Sequence, residues 1–186
     1  MSKRRNDKGY SLVEMIIVIA IIAVVAAMAI VSVSMIRSAK AKDAAATVDS
    51  ELATLITKSK NVDCDRANSE YAARIYKDNG VFYYQRGYYY YDKIAKKGNY
   101  VWNDTKESKV SLTSYVDIRY AEDKSVPNGD SSEKKVEEMN EGKGIFFRFA
   151  KNGICVDGAG DLRFCKRNGN VVANVYIRAN GSHQLR

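Results

Sequence analysis

The apolar run that begins at Met15 and reaches Val31 without a polar side chain is the strongest constraint on this chain. It continues to Ile36 with only Ser32 and Ser34 intervening. As a helix, that stretch is about 33 Å long at 1.5 Å per residue, enough to cross a hydrocarbon layer of about 30 Å. It reads as a membrane helix. The single proline, Pro127, lies far downstream, so nothing near the run forces a kink.

A basic start followed by an apolar run is also the signature of a secretory signal, and three features separate this segment from one. The run is longer than a signal core. No small-x-small site followed by a polar break closes it; helix-favouring residues continue through Ser38-Ala39-Lys40-Ala41-Lys42-Asp43-Ala44-Ala45-Ala46. Glu14 stands at its mouth, where a simple anchor gains nothing from an acid that carries a desolvation cost.

The apolar content of 46% therefore describes neither part of the chain, because the residues beyond the run are polar and rich in Lys, Asp, Asn and Tyr. Of the formal charge of +8, the first nine residues supply +3 through Lys3, Arg4, Arg5 and Lys8 against Asp7. The remaining +5 is spread among interspersed acids and bases, which reads as a solvated mixed surface.

The segment Lys8-Gly9-Tyr10-Ser11-Leu12-Val13-Glu14 and the apolar residues after it resemble the class III signal of type IV prepilins and pseudopilins. In that family a short basic leader ends in Gly, a membrane-bound peptidase cuts after it, and the new N-terminal residue is methylated. The resemblance implies cleavage between Gly9 and Tyr10, N-methylation of Tyr10, and an assembly ion pair between Glu14 and the freed Tyr10 ammonium of an adjacent subunit. Tyr10 stands where the family usually has Phe. Major pilins often carry Gly and then Pro in the second half of the apolar segment; here Ala23 and Val31 occupy those places, as in minor pilins or pseudopilins.

Past the run the pattern becomes one-sided. Ala41, Ala45, Val48, Leu52 and Leu55 recur at alternating steps of four and three, a stripe suited to lie on a sheet. Together with the resemblance, this predicts an α+β fold: the leader the resemblance implies over residues 1–9, a long N-terminal helix over 10–60 with its transmembrane half at about 12–36 and an amphipathic half beyond, and a small antiparallel β-sheet head over 61–186. Residues 70–77, 81–85 and 88–94 read as strands, with Asn79-Gly80 as a hairpin turn and Arg86-Gly87 as a second connection. Tyr71 and Ile75 also fit one face of a helix. Strands are further expected over 110–120 and 144–150, a surface loop over 122–142, and a final hairpin from 162–165 and 171–179 closed by Asn180-Gly181.

The other constellations point away from catalysis. Cys64, Cys155 and Cys165 lack zinc spacing, and His183 is the only histidine, so no metal or cofactor is expected. In an oxidising extracellular head Cys155 and Cys165 are a candidate disulfide across a short Gly-containing connection, with Cys64 an alternative partner for either. Asp157-Gly158-Ala159-Gly160-Asp161 reads as a turn because six or more calcium ligands are not visible. Ser182 and His183 adjoin without an oxyanion motif around them, which argues against an enzyme. The tyrosines at 83, 84, 88–91 and 100 suit half-buried strand faces, with stacking on sugars or bases as the functional alternative.

The resemblance implies a structural filament subunit, a minor pilin or pseudopilin of a type IV pilus or a related secretion or competence apparatus. Its partners would be prepilin peptidase, other pilin subunits, and an assembly platform with its ATPase. The chain would cross the cytoplasmic membrane once, with leader inside and head outside, before entering a surface filament. A ligand-binding minor pilin that captures DNA or a surface ligand is the second reading, motivated by the net charge and the tyrosines.

Overall fold

A computed structural model describes residues 11–61, 69–103, 105, 107–122, 134–136 and 144–186. It contains two compact units, Met1–Ile36 and Arg37–Arg186. One helix, α1 (Leu12–Asn61), contributes to both. It contains neither Gly nor Pro, and Ser32, Thr47 and Thr54 return their hydroxyl protons to the carbonyls of Met28, Asp43 and Ser50, so polar side chains along it find partners within the helix. Lys58 and Lys60 occupy the last turn, where positive charge complements the free carbonyls. The continuity expected from the absence of breakers is observed.

Within the first unit, the described large apolar side chains of the helix from Leu12 to Ile36 are exposed on every side. In the second unit the stripe read from the sequence is the helix's contribution to the core: Ala41, Ala45, Val48, Leu52 and Leu55 are all buried, joined by Ala44 and Ile56.

The rest of the second unit is two antiparallel sheets. The first is built from β1 (Ser69–Asp78), β2 (Val81–Asp92), β3 (Lys97–Trp102), β4 (Lys109–Thr113), β7 (Ile145–Phe149) and β8 (Cys155–Asp157), in the order β3-β2-β1-β7-β8 with β4 also paired to β2. The second contains β5 (Asp117–Glu122), β6 (Lys134–Lys135), β9 (Gly160–Cys165), β10 (Val171–Ile177) and β11 (His183–Leu185), ordered β11-β10-β9-β5-β6. Ile75, Phe82, Tyr84, Phe147 and Phe149 from the first sheet and Ile118, Leu162, Phe164, Val175 and Ile177 from the second enclose the helix stripe in one cluster. Two polar contacts flank that stripe: the ion pair of Glu51 with Arg86 of β2 at 3.3 Å, and the approach of Asp49 to His183 of β11 at 3.6 Å.

The Asn79-Gly80 hairpin forms as expected, with φ of 47° and 80° at its two central residues, the primed geometry that matches strand twist. Arg86-Gly87, however, is no connection. β2 runs straight through it, with Gly87 opposite Ala72 on one side and Trp102 on the other. The glycine serves close approach: a Cβ there would lie 2.2 Å from the Val101 carbonyl oxygen and 2.8 Å from Trp102 Cε3.

Three further differences follow, the first two from local side-chain chemistry. The expected strand over 88–94 ends at Asp92, whose carboxylate accepts the Ile94 and Ala95 amides and starts a turn; Ile94 is 96% exposed, and β3 comes next. The run over 110–120 breaks at residues 114–116, where the Thr113 hydroxyl accepts the Tyr115 amide, so that β4 and β5 belong to different sheets. Alternation persists across the bend because Val116 is buried there, which is why the sequence reads as one strand. Within the expected loop over 122–142 the described residues form β6 and a buried Val136; the remainder lies outside the described residues.

Replacing Gly87 by Ala should therefore destabilise the fold by about 1–3 kcal/mol, the usual cost of overpacking. Urea unfolding of the full chain in detergent micelles, followed by Trp102 fluorescence, is the measurement. An unchanged midpoint would show that Trp102 does not lie over Gly87.

Candidate functional site

At the head of α1 the sequence Ser11-Leu12-Val13-Glu14 forms a reciprocal cap. The Ser11 amide donates to Glu14 Oε2 at 2.8 Å, and the Glu14 amide donates to Ser11 Oγ at 3.2 Å. The Met15 amide, 3.2 Å from the Ser11 carbonyl, opens the intrahelical ladder. This is the capping box, in which two otherwise orphaned amides are satisfied by each other's side chains. The sequence reading that an acid at Glu14 gains nothing locally is thereby corrected: Ser-x-x-Glu before an apolar run is itself the signal, and the carboxylate stabilises the first turn. The cap occupies one carboxylate oxygen. An ionised carboxylate offers about four acceptor positions, so Glu14 retains capacity for a second, charged donor.

Downstream of that cap, α1 is long and apolar enough to cross a membrane, with none of its most apolar window buried in the protein. A capped helix start, one acid and an unbroken apolar surface thus lie in sequence. A family model described as the prokaryotic N-terminal methylation motif matches residues 4–35.

The chain carries the class III signal of type IV pilins.

The fold, a long N-terminal helix with an antiparallel β head, fits a pilin-like architecture. The matched segment contains Gly9, Tyr10 and Glu14; the first two lie outside the described residues. The motif's family is structural, not enzymatic. No curated protein and no solved structure matches the chain.

The pilin-like head corrects one expectation outright. Cys155 and Cys165 flank a short connection in sequence, but that connection crosses from the first sheet to the second. The Cys155 amide donates to the Ala179 carbonyl, beyond the Ile177 end of β10, whereas Cys165 pairs with Val171 at the other end. Ile177 and Val171 are six residue steps apart along β10, about 20 Å, whereas disulfide Cα atoms lie within about 7 Å. Cys155 is a buried thiol donating to the Asp157 carbonyl at 3.1 Å. Cys64 lies outside the described residues.

Asp157 and Asp161 are committed internally. Asp157 accepts the Tyr100 hydroxyl at 2.8 Å; Asp161 accepts Arg163 Nε at 2.8 Å and Asn174 Nδ2 at 2.9 Å. Burial first, and then that bond to Asp157, push the Tyr100 phenol above its ordinary range. Ser182 donates to Asn180 Oδ1 within its own turn, while His183 reaches Asp49 on α1, so the adjacent pair is not arranged as nucleophile and base.

The tyrosines divide between both faces of the first sheet. Tyr84 is fully buried beneath α1, whereas Tyr76, Tyr83, Tyr89, Tyr100, Trp102 and Phe146 form a layer on the opposite face. Arg74 lies 4.4 Å from the Tyr76 ring and 4.7 Å from Trp102, Arg148 lies 4.3 Å from Tyr89, and Lys109 lies 4.4 Å from Tyr83. The protein's own cations lie over the rings of Tyr76, Tyr83, Tyr89 and Trp102, which supports the structural reading for those residues.

Burial, followed by the charge of Asp157, pushes the Cys155 thiol up to about 12. It should therefore remain protonated through neutral and mildly alkaline pH and resist alkylation. Iodoacetamide labelling at pH 8 followed by peptide mass analysis should modify Cys155 only after denaturation. Rapid labelling of the folded chain would contradict its placement.

Proposed function

We propose that the chain is a minor pilin or pseudopilin, a structural subunit of a type IV pilus or related secretion or competence filament. The methylation motif over residues 4–35 carries this reading. The exposed apolar half of α1 supports it, since such a surface is stable in a bilayer or against like helices in a fibre. In this reading prepilin peptidase cuts between Gly9 and Tyr10 and Tyr10 is N-methylated. Before assembly the chain crosses the cytoplasmic membrane once, with leader inside and head outside. An assembly platform with its ATPase then moves it into a filament with other subunits. Intact mass of protein from the native host should equal residues 10–186 plus one methyl group. Retention of the leader would rule the reading out.

Glu14 would have two tasks. In the single subunit it caps α1 through the Ser11 amide; in the filament its remaining acceptor capacity would pair with the Tyr10 ammonium of a neighbour. Two substitutions separate these tasks. Glu14→Gln keeps an oxygen that accepts the Ser11 amide but removes the charge, whereas Glu14→Ala removes both. If the ion pair governs assembly, both variants should enter sheared filaments at about one tenth of the wild-type level or less, because an ammonium left unpaired in an apolar bundle is strongly unfavourable. Normal incorporation of Glu14→Gln with loss only for Glu14→Ala would assign Glu14 to the cap alone.

A further inference from the structure

Asn-Gly occurs five times in the chain, at Asn79, Asn128, Asn152, Asn168 and Asn180. The pair is chemically labile, because a glycine amide nitrogen with no side chain beside it can attack the carboxamide carbon of the preceding asparagine. All five pairs share that sequence, so only the surroundings of each can rank them. Asn128-Gly129 lies outside the described residues.

Three of the other four are held at both reacting groups. The Gly153 amide donates to the Ala150 carbonyl at 2.8 Å, the Gly169 amide to the Lys166 carbonyl at 2.8 Å and the Gly181 amide to the Arg178 carbonyl at 2.9 Å. Each asparagine folds its side chain over its own turn: Asn152 Oδ1 accepts the Ile154 amide, Asn168 Oδ1 the Asn170 amide, and Asn180 Oδ1 both the amide and the hydroxyl of Ser182. Space is short as well. A substituent on Gly153 would strike the Lys60 side chain, one on Gly181 the Gly153 carbonyl, and one on Gly169 would lie 3.3 Å from Arg119 Nη2. A nitrogen whose proton is donated to a carbonyl becomes a nucleophile only after that bond opens.

Asn79-Gly80 has none of these restraints. Asn79 is exposed, and among the described residues neither its side chain nor the Gly80 amide has a hydrogen-bond partner. A Cβ at Gly80 would meet nothing within 4 Å, so the site is open to water. The primed turn is the reason: the strand ladder closes at Asp78 and Val81, which leaves the Gly80 amide outside it.

We propose that Asn79 is a site of spontaneous deamidation in the folded head. The Gly80 nitrogen gives up its proton and bonds to Asn79 Cγ, the bond from Cγ to the side-chain nitrogen breaks, and ammonia leaves with the proton. Water then opens the five-membered imide at either carbonyl, leaving aspartate or isoaspartate; nothing is oxidised or reduced. Both products add one negative charge beside Asp78. Isoaspartate also lengthens the main chain of the two-residue turn by one methylene. That turn fixes the register in which Ile75 pairs with Tyr84 and Lys77 with Phe82, and Ile75, Phe82 and Tyr84 belong to the core. The modification needs only water and sets a finite lifetime on the β1–β2 pairing. It does not depend on the filament reading.

The test ages the full chain in neutral detergent micelles at mildly alkaline pH, with and without urea, and follows the one-dalton gain at each asparagine by peptide mass analysis. In the folded chain Asn79 should convert at least about tenfold faster than Asn152, Asn168 and Asn180, since those require local opening first. In urea the four rates should converge. Fragmentation that distinguishes the isomers should find isoaspartate at residue 79, and the aged sample should unfold at lower urea by Trp102 fluorescence. Asn79→Asp carries the charge without the added methylene and should keep the wild-type midpoint. The proposal is overturned if Asn79 is unchanged in the folded chain, if any of the other three converts as fast, or if the spread of rates is the same in urea. An unchanged midpoint after conversion to isoaspartate would overturn the effect on the hairpin.

Discussion

Burial of one helical stripe against two sheets is the contact on which the head depends. Ala41, Ala45, Val48, Leu52 and Leu55 present a narrow apolar line, and small residues at 41, 44 and 45 let the strands approach the helix closely. Neither sheet covers the core alone: the aromatic residues Phe82, Tyr84, Phe147 and Phe149 come from one, and mostly aliphatic residues from the other. The stripe is the element common to both. Glu51 with Arg86 and Asp49 with His183 add one polar contact from the helix to each sheet, orienting it where the apolar stripe would tolerate sliding.

The same helix meets a different physical problem at its beginning. A helix start in an apolar setting leaves amides that water cannot satisfy, and the Ser11–Glu14 cap resolves two of them with side chains already present. An acid beside hydrocarbon is then less costly than its charge alone suggests, because the carboxylate is hydrogen-bonded before any neighbour arrives. Within the proposed filament role, the cap would hold Glu14 in a fixed orientation, ready for a second donor.

The outer faces of the two sheets solve the surface problem differently. On the first, guanidinium and ammonium groups lie over aromatic rings, so a wide apolar layer acquires a charged cover from within the fold. On the second, Arg163 stands opposite Arg119 and Asn174 with its head held by Asp161, while Arg186 is held by Gln184 beside the Tyr176 ring. The chain's net charge of +8 conceals this contrast, since it sums over both faces and the leader.

Periodicity and local chemistry determined much of this protein. The apolar run, the four-and-three stripe and the basic leader before Gly9 are properties of consecutive residues, and each is legible because helix geometry maps sequence spacing directly onto a surface. Asn79-Gly80 is legible for a similar reason, a backbone conformation that few residues adopt readily. The Ser11–Glu14 cap belongs to this class too, and escapes notice only when Glu14 is weighed as a membrane acid alone. The part that the tertiary structure decided depends on strand order. A strand's neighbours are chosen by the whole core, so the bend after Thr113 and the crossing between Asp157 and Gly160 moved the chain from one sheet to the other without interrupting its alternation. Those two crossings separated Cys155 from Cys165 and aligned Arg119 with Arg163 and Arg186. Such distances arise from register between strands far apart in sequence, which no local spacing encodes.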